Sequence, residues 1–573
     1  MLGPGGLSTS IQRTYEGRPE ELSVLQLPID LFVMGVKGYF ADAVRYRHAY
    51  GLAASAATGS VFYGWDVGLI GGILTMPSFK SYFGIDKMTA SEQANLNGNI
   101  VAVLQGGCFF GALFTGYLSG RFGRKPTLLS SGVVYLIGSL IQSVVGLGTS
   151  ATVALRLLYL SRWLGGVGVG MVSALVPSYV AECVPGEIRG RCTGTVQLAN
   201  NIGIMLSFWV NYSAEKNLPH GNMQWRLPFI IQMVPGIFFV VFMSSLPESP
   251  RYLVENGKYE RAARSLAFAS GRSPDDENVR ITIEEIKADF EGKEKTPLLK
   301  QLAMMRESRT TALRCFIPSF IMFWHQATGT NGINYFSPTI FASLGVSGTT
   351  SGLLATGVYG VVKTISVALA LAFAVESLGR KKCLIIGGLG QATMMFWIGG
   401  FSAIHPQRTV VPASYVSIAA VYLYAIFFSL GWEPLPWVVA AEVAPNHVRN
   451  AAYAVAIAVS WLFTFTVSKL TPIMLERITY GTFLVFGCDC ILMSAWVYLF
   501  LPETRGYALE DIKYLFERDV VVRSLQDAPG GRLFLGGKRA IPVEELKAAE
   551  MDIGSHDDIK DVKVDDGGFK LDA

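Results

Sequence analysis

Long apolar runs alternate with short polar interruptions along most of this chain. Crossing a bilayer as a helix takes about 20 apolar residues. Runs of that kind fall near 50–73, 97–118, 127–146, 154–177, 193–212 and 227–246, and again near 313–338, 352–374, 383–401, 414–440, 451–471 and 480–501. The pattern predicts an all-α membrane protein of twelve helices in two sets of six. Between the sets the sequence is rich in charge ("ENGKYERAARSL", "ITIEEIKADFEGKEK"), which predicts short helices outside the bilayer. The expected organisation is an N-terminal segment 1–48, a six-helix bundle 49–246, a helical linker 247–312, a second bundle 313–501 and a tail 502–573 whose acidic end reads as disordered.

Composition agrees with the pattern. Of 573 residues, 51% are hydrophobic and 16% charged, with mean hydropathy +0.37; soluble domains carry about 25% charged residues. A net charge of +4 gives no reason to expect a nucleic-acid partner. The seven cysteines lack metal-ligand spacing, and Cys488 and Cys490 lie in an apolar run where they read as core. No catalytic triad is visible. "GGVGVG" (165–170) lies inside a span, without the strand–turn–helix context of a nucleotide site. The N-terminus does not have the layout of a cleavable signal peptide, so the first span is expected to stay as an anchor.

The loops set an expected orientation. The clusters "GRFGRK" (120–125), "GEIRGR" (186–191), "LGRKK" (378–382) and "PNHVRN" (445–450) share one side if the spans alternate, together with the linker and both termini. By the positive-inside rule that side is the cytosol.

The two sets also repeat. Gly123 of "RFGRK" recurs as Gly379 of "SLGRK"; Glu182 and Arg189 recur as Glu442 and Arg449; Pro247 and Glu248 recur as Pro502 and Glu503. The offsets are 256, 260 and 255 residues. A duplicated six-helix unit of this kind places a substrate near the midplane, between halves that rock against each other.

Two charges interrupt the first six spans at depth, Asp66 in "VFYGWDVGLIGG" and Arg162 in "YLSRWLGGVGVG". A charge at such depth is costly and survives by pairing within the bundle. A carboxylate balanced between burial and a neighbouring guanidinium can exchange a proton as its surroundings change. The alternative is a pair that only fixes helix packing. The glycines after Arg162 (Gly166, Gly168, Gly170) read as scaffold for close helix approach.

Four motifs taken together, "GRFGRK" with "LGRKK", "PESPRYLVENGKYERA", "PETRGYALEDI" and "ATGTNGINYFSPTIF", make the chain resemble a sugar porter of the major facilitator superfamily over about residues 50–515. "LLATGVYGVVK", "LGWEPLPWV" and "VSKLTP" look closest to the fungal branch holding quinate and uronate carriers. The resemblance implies two six-helix halves and a proton-binding Asp66 with its Arg162. It also implies ligand contacts at Gln197, Gln326 and Asn331, an outer-gate Tyr335, and pocket aromatics at Trp432 and Trp461. At the helix ends it implies a cytosolic gate of Arg121, Arg124, Glu182 and Arg189 with Glu376, Arg380, Glu442 and Arg449. These would bridge the halves when the cavity faces outward and part when it opens inward.

The departures from the family pattern matter more. His325 replaces the first glutamine of a QQ pair, Ser460 stands where relatives often have an amide, and Glu433 replaces a glycine of the usual GWGP run. Lys363 and Asp489 lie deep in helices eight and twelve. Together they suggest a pocket more charged than one for neutral glucose. Either Lys363 or His325 meets a substrate carboxylate by charge-assisted hydrogen bonding, or Lys363 pairs with Glu433 or Asp489 and never meets substrate.

The expectation is a multi-pass, plasma-membrane secondary transporter, functional as a monomer, with no metal and no cofactor beyond the proton. It would take up a monosaccharide or a related polyhydroxy carboxylate of the quinate or galacturonate type by proton symport. The alternatives are a facilitative uniporter and a non-transporting nutrient sensor. The sequon at Asn211 abuts a span and is expected to be unmodified.

Overall fold

The computed structural model describes residues 44–290, 298–374, 378–405, 410–445, 447–505, 507, 511–516, 520–528 and 543. Most of segment 1–48, much of the tail and Glu376 lie outside the described residues. The first half holds α1 (Arg47–Ile73), α2 (Ala90–Phe122), α3 (Arg124–Val144), α4 (Ala151–Cys183), α5 (Arg189–Asn217) and α6 (Asn222–Ser245). The second holds α7 in two segments (Arg309–Ala327 and Thr330–Ser343), α8 (Thr349–Phe373), α9 (Arg380–Ile404), α10 (Pro412–Val443), α11 (Arg449–Arg477) and α12 (Gly481–Phe500). Three short helices, Pro250–Glu255, Tyr259–Ser270 and Glu277–Phe290, follow α6.

Among the described residues, nine helices are long and apolar enough to cross a membrane by length and composition. The other three are α1, α5 and α7. Glycines, serines and Asp66 dilute α1, while Gln197, Asn200 and Asn201 dilute α5. Helix α7 is divided: its first segment ends at Thr328, Gly329 takes φ +80°, and a new helix starts at Thr330. The apolar pattern predicts one continuous run there and does not register the break. Each of these three polar helices contributes to the cavity wall described below.

Close packing explains the glycines. A β-carbon on Gly166 or Gly170 would lie 2.1 Å from the backbone oxygen of Leu104 or Cys108, and one on Gly107 or Gly111 would lie 2.2 Å from Trp163 or Val167 oxygen. Helices α2 and α4 therefore touch backbone to backbone, an approach that small residues permit. Helix starts are set by local polar chemistry. Thr89 and Glu92 form a reciprocal capping box ahead of α2, and Ser308 accepts from the Thr311 N–H (3.1 Å) ahead of α7.

The duplication is visible atom by atom on the face that carries the basic motifs. Glu248 accepts from the backbone N–H groups of Arg124 (3.0 Å) and Lys125 (3.1 Å), satisfying the start of α3. Glu503 accepts from Arg380 (2.9 Å) and Lys381 (3.1 Å) at the start of α9. The glycine before each helix has positive φ, +105° at Gly123 and +89° at Gly379, and a β-carbon on either would strike the capping carboxylate. The anionic cap complements the free N–H groups and the positive end of the helix dipole.

Candidate functional site

Helices α2 with α11, and α5 with α8, join the halves. On the side away from the basic motifs, Lys469 of α11 donates to Asn99 of α2 (2.6 Å), and a β-carbon on Gly71 would lie 2.1 Å from Tyr335 oxygen. Behind this contact, at mid-depth, lies a small cavity.

Its wall draws Tyr63 and Val67 from α1 and Gln197, Asn200 and Ile204 from α5. The second half supplies more: His325, Gln326, Thr330, Asn331, Asn334 and Tyr335 from α7, Lys363 from α8, Phe428, Glu433 and Trp437 from α10, and Ser460, Trp461 and Thr464 from α11. Nine of the ten expected substrate residues are thus brought together. The exception is Trp432, a correction to the sequence reading. It lies in the π-helical turn Phe428–Trp432, is fully buried, and donates its Nε1–H to Leu384 oxygen (2.8 Å), facing α9 instead of the cavity. Phe428 and Trp437, four residues before and five after, supply the aromatic surface in its stead.

The polar wall is internally bonded. Gln326 Nε2 donates to Ser460 Oγ (2.8 Å) and lies 2.9 Å from His325 Nδ1, and Asn331 Nδ2 donates to Gln326 Oε1 (2.5 Å). The Tyr335 hydroxyl meets the Gln105 side-chain amide of α2 at 2.6 Å, a cross-half contact. Trp461 crosses too, donating to Ser173 Oγ (3.1 Å) and packing edge-on to Tyr63 (5.5 Å between centroids).

Among the described residues, the ion pairs of Asp66 with Arg162 and of Lys363 with Glu433 are buried in the bundle. Arg162 Nη1 and Asp66 Oδ1 are 3.2 Å apart, and the Arg162 Nε–H donates to Ile100 oxygen (2.7 Å), so the pair ties α4 to α1 and α2. It stands off the cavity wall, although Val67, next to Asp66, is on it. Lys363 Nζ lies 3.1 Å from Glu433 Oε2, with the Phe428 ring 5.3 Å away. Glu433 Oε1 accepts from Gln197 Nε2 (2.8 Å) and Asn201 Nδ2 (3.1 Å) of the other half. Lys363 therefore pairs with Glu433, one of the partners the sequence offered, and both residues line the cavity. Asp489, by contrast, is half-buried away from the cavity wall, with no ion pair among the described residues.

Two pairs of the expected gate residues form inside the halves. Arg124 pairs with Glu182 (3.0 Å) and Arg380 with Glu442 (3.2 Å), each pair within one half and not across the halves. Ser249 donates to Glu182, and Thr504 donates to Glu442 (3.0 Å), a further repeated feature. Arg121 donates to the Tyr117 hydroxyl (2.7 Å) and Arg449 to Ala444 oxygen (3.4 Å), while Arg189 starts α5. Glu376 falls outside the described residues. Asn211 is fully buried, donating to Leu69 oxygen (2.8 Å), so a glycan there would have to displace α1.

Several wall residues escape sequence reasoning: Tyr63, Asn200, Thr330, Asn334 and Thr464 among them. Asn200 and Asn334 carry a weak signal as amides in spans. For the others, only the rotation of each helix decides which face meets the cavity.

Two duplicated six-helix halves around an amide-lined central cavity define a solute transporter of the major facilitator type. The family described as "Sugar (and other) transporter" matches residues 52–516, and the chain belongs to it. Similar proteins include Quinate permease of Neurospora terricola, 34% identical over 487 residues, covering 83% of this chain and 90% of that one. Probable quinate permease of Aspergillus niger is 33% identical over 483 residues, covering 83% and 89%. Among solved structures, the proton:xylose symporter XylE bound to 6-bromo-6-deoxy-D-glucose is 28% identical, with TM-score 0.68, covering 82% of this chain and 100% of that one. An inward open conformation of the xylose transporter XylE from E. coli gives 27% identity and TM-score 0.67 at the same coverage. These relatives are transporters, and this chain is a multi-pass membrane transporter, not an enzyme.

Proposed function

We propose that the chain imports a polyhydroxy carboxylate of the quinate or galacturonate type together with a proton, exposing the cavity alternately to the two faces. The observation that carries this reading is the ammonium of Lys363, paired with Glu433, on the wall of a cavity otherwise lined mainly by amides, hydroxyls and aromatic rings. Amides of Gln197, Asn200, Gln326 and Asn331 suit ring hydroxyls, Tyr63, Trp437 and Trp461 suit the apolar edges of a ring, and Lys363 suits the carboxylate. The relatives named quinate permease support the acid, and the proton:xylose symporter supports coupling.

In this reading Asp66 takes the proton. Neutralising it removes one charge of a buried pair and loosens the tie from α1 to α4. Since α1 also carries Tyr63 and Val67 onto the wall and Gly71 against Tyr335, a shift of α1 reaches both the solute and the contact that closes the cavity. The basic-motif face is the cytosolic one, both termini lie there, and the membrane is the plasma membrane.

The test is uptake of labelled quinate, galacturonate and glucose by cells lacking their own carriers, at acidic and neutral pH, with and without a protonophore. Acid uptake that collapses with the protonophore is expected. Glucose uptake indifferent to pH and protonophore would replace this reading with a sugar uniporter, for which the mutual neutralisation of Lys363 and Glu433 would be the structural basis.

A further inference from the structure

The Lys363–Glu433 contact is balanced in charge yet incomplete in hydrogen bonding. Oxygen Oε1 of Glu433 is fully served by the two α5 amides, Gln197 and Asn201. Oxygen Oε2 is buried and has no aligned hydrogen-bond donor; it has only the Lys363 ammonium 3.1 Å away. Lys363 in turn faces Phe428 on another side, and its side chain is 2% exposed. A buried ammonium has three donors and strongly favours acceptors that meet them well. A carboxylate held from the opposite half, and reaching the ammonium with one poorly aligned oxygen, neutralises it without saturating it. The pair is also on the cavity wall, so a solute can reach the same ammonium.

We propose that Glu433 stands in for the substrate carboxylate on Lys363 while the cavity is empty, and that a bound carboxylate takes its place. This rests on the reading of the substrate as a polyhydroxy acid. Displaced from Lys363, Glu433 keeps its two α5 amides, so the exchange frees α8 from α10 while the tie from α10 to the other half stays in place. The same competition sets selectivity: an anion can replace Glu433, whereas a neutral sugar offers the ammonium no charge in return. Glu433 is then a specificity-determining residue that acts by weakening acid binding.

The test is equilibrium binding of quinate and of glucose to the purified full chain in lipid nanodiscs, comparing wild type with Glu433→Gln and Glu433→Asp. Glu433→Gln keeps an acceptor for the α5 amides but removes the competing charge. Quinate should bind about tenfold more tightly, an interaction difference typical of one close charge contact, with a clearly smaller change for glucose. Glu433→Asp, whose shorter side chain holds Lys363 less well, should move the same way by less and stands in should the amide variant fail to fold. A wild type that binds quinate, with neither variant binding it more tightly, overturns the stand-in role and leaves the substrate reading intact. Wild type and variants that bind glucose but not quinate or galacturonate overturn the substrate reading and this inference with it.

Discussion

The two buried ion pairs use the same chemistry to different ends. Asp66–Arg162 joins two helices of one half, borrows a backbone oxygen from a third, and stands off the cavity. Lys363–Glu433 joins α8 to α10 on the cavity wall and extends, through Glu433, to α5 of the other half. Both are almost wholly buried, with side-chain exposures of 0% and 2% for Arg162 and Asp66 and of 2% and 5% for Lys363 and Glu433. Burial therefore does not separate their roles. Position relative to the cavity does: the first pair can sense a solute only through movement of α1, while the second can touch it.

Removing Arg162 tests the first pair most severely. Arg162→Leu leaves a carboxylate buried without a partner, a change that costs about 3–5 kcal/mol, and should produce the largest fall in thermal stability of the purified protein in detergent. Asp66→Asn keeps the shape and a polar partner, so its loss should be smaller. It should abolish protonophore-sensitive accumulation while sparing exchange of labelled for unlabelled substrate; accumulation that persists would remove Asp66 from proton coupling.

Lys363→Met sharpens the contrast. Quinate uptake should drop about a hundredfold in kcat/KM, equivalent to about 3 kcal/mol, with a much smaller loss for a neutral sugar. Equal losses for both solutes would make Lys363 a structural residue like Arg162. The duplicated caps come next. Gly123→Ala and Gly379→Ala each force a β-carbon into a conformation that costs about 1–3 kcal/mol and against a capping carboxylate. Each should lower the melting temperature by a similar amount, and a fall in one alone would show that the halves depend on their caps unequally. The smallest effects separate the tryptophans. Trp432→Phe should cost about 1 kcal/mol of stability through its lost bond to Leu384 and leave KM unchanged, while Trp461→Phe should raise KM.

Much of this was legible from residue type and spacing, because apolar run length, intramembrane charge and a repeated motif are all local signals. Asp66 and Arg162 stood out as lone charges in apolar runs, and the offset between Glu248 and Glu503 announced two equivalent positions, though not their capping role. What stayed hidden depends on helix rotation or on contacts distant in sequence. Trp432 was misplaced because the π-helical turn rotates it toward α9 and brings Trp437 to the cavity. The break at Gly329 went unread because a single glycine inside a predicted span gives no sign of its positive φ. The bonds from Glu433 to Gln197 and Asn201 span more than two hundred residues of sequence. No local pattern encodes that meeting.

The duplicated caps bear on how little must change when the halves move. Arg124, Glu182, Glu248 and Ser249 satisfy one another inside the first half, and Arg380, Glu442, Glu503 and Thr504 do so inside the second. Each half is thus electrically self-contained at these caps, and turning one against the other leaves all of these bonds intact. The work of such a motion falls on the cross-half contacts, among them Lys469 with Asn99, Tyr335 with Gln105, Trp461 with Ser173, Thr364 with Asn201 oxygen, and Glu433 with α5. Three of these contacts use cavity-wall residues, so a solute seated between the halves lies beside the bonds that hold them together.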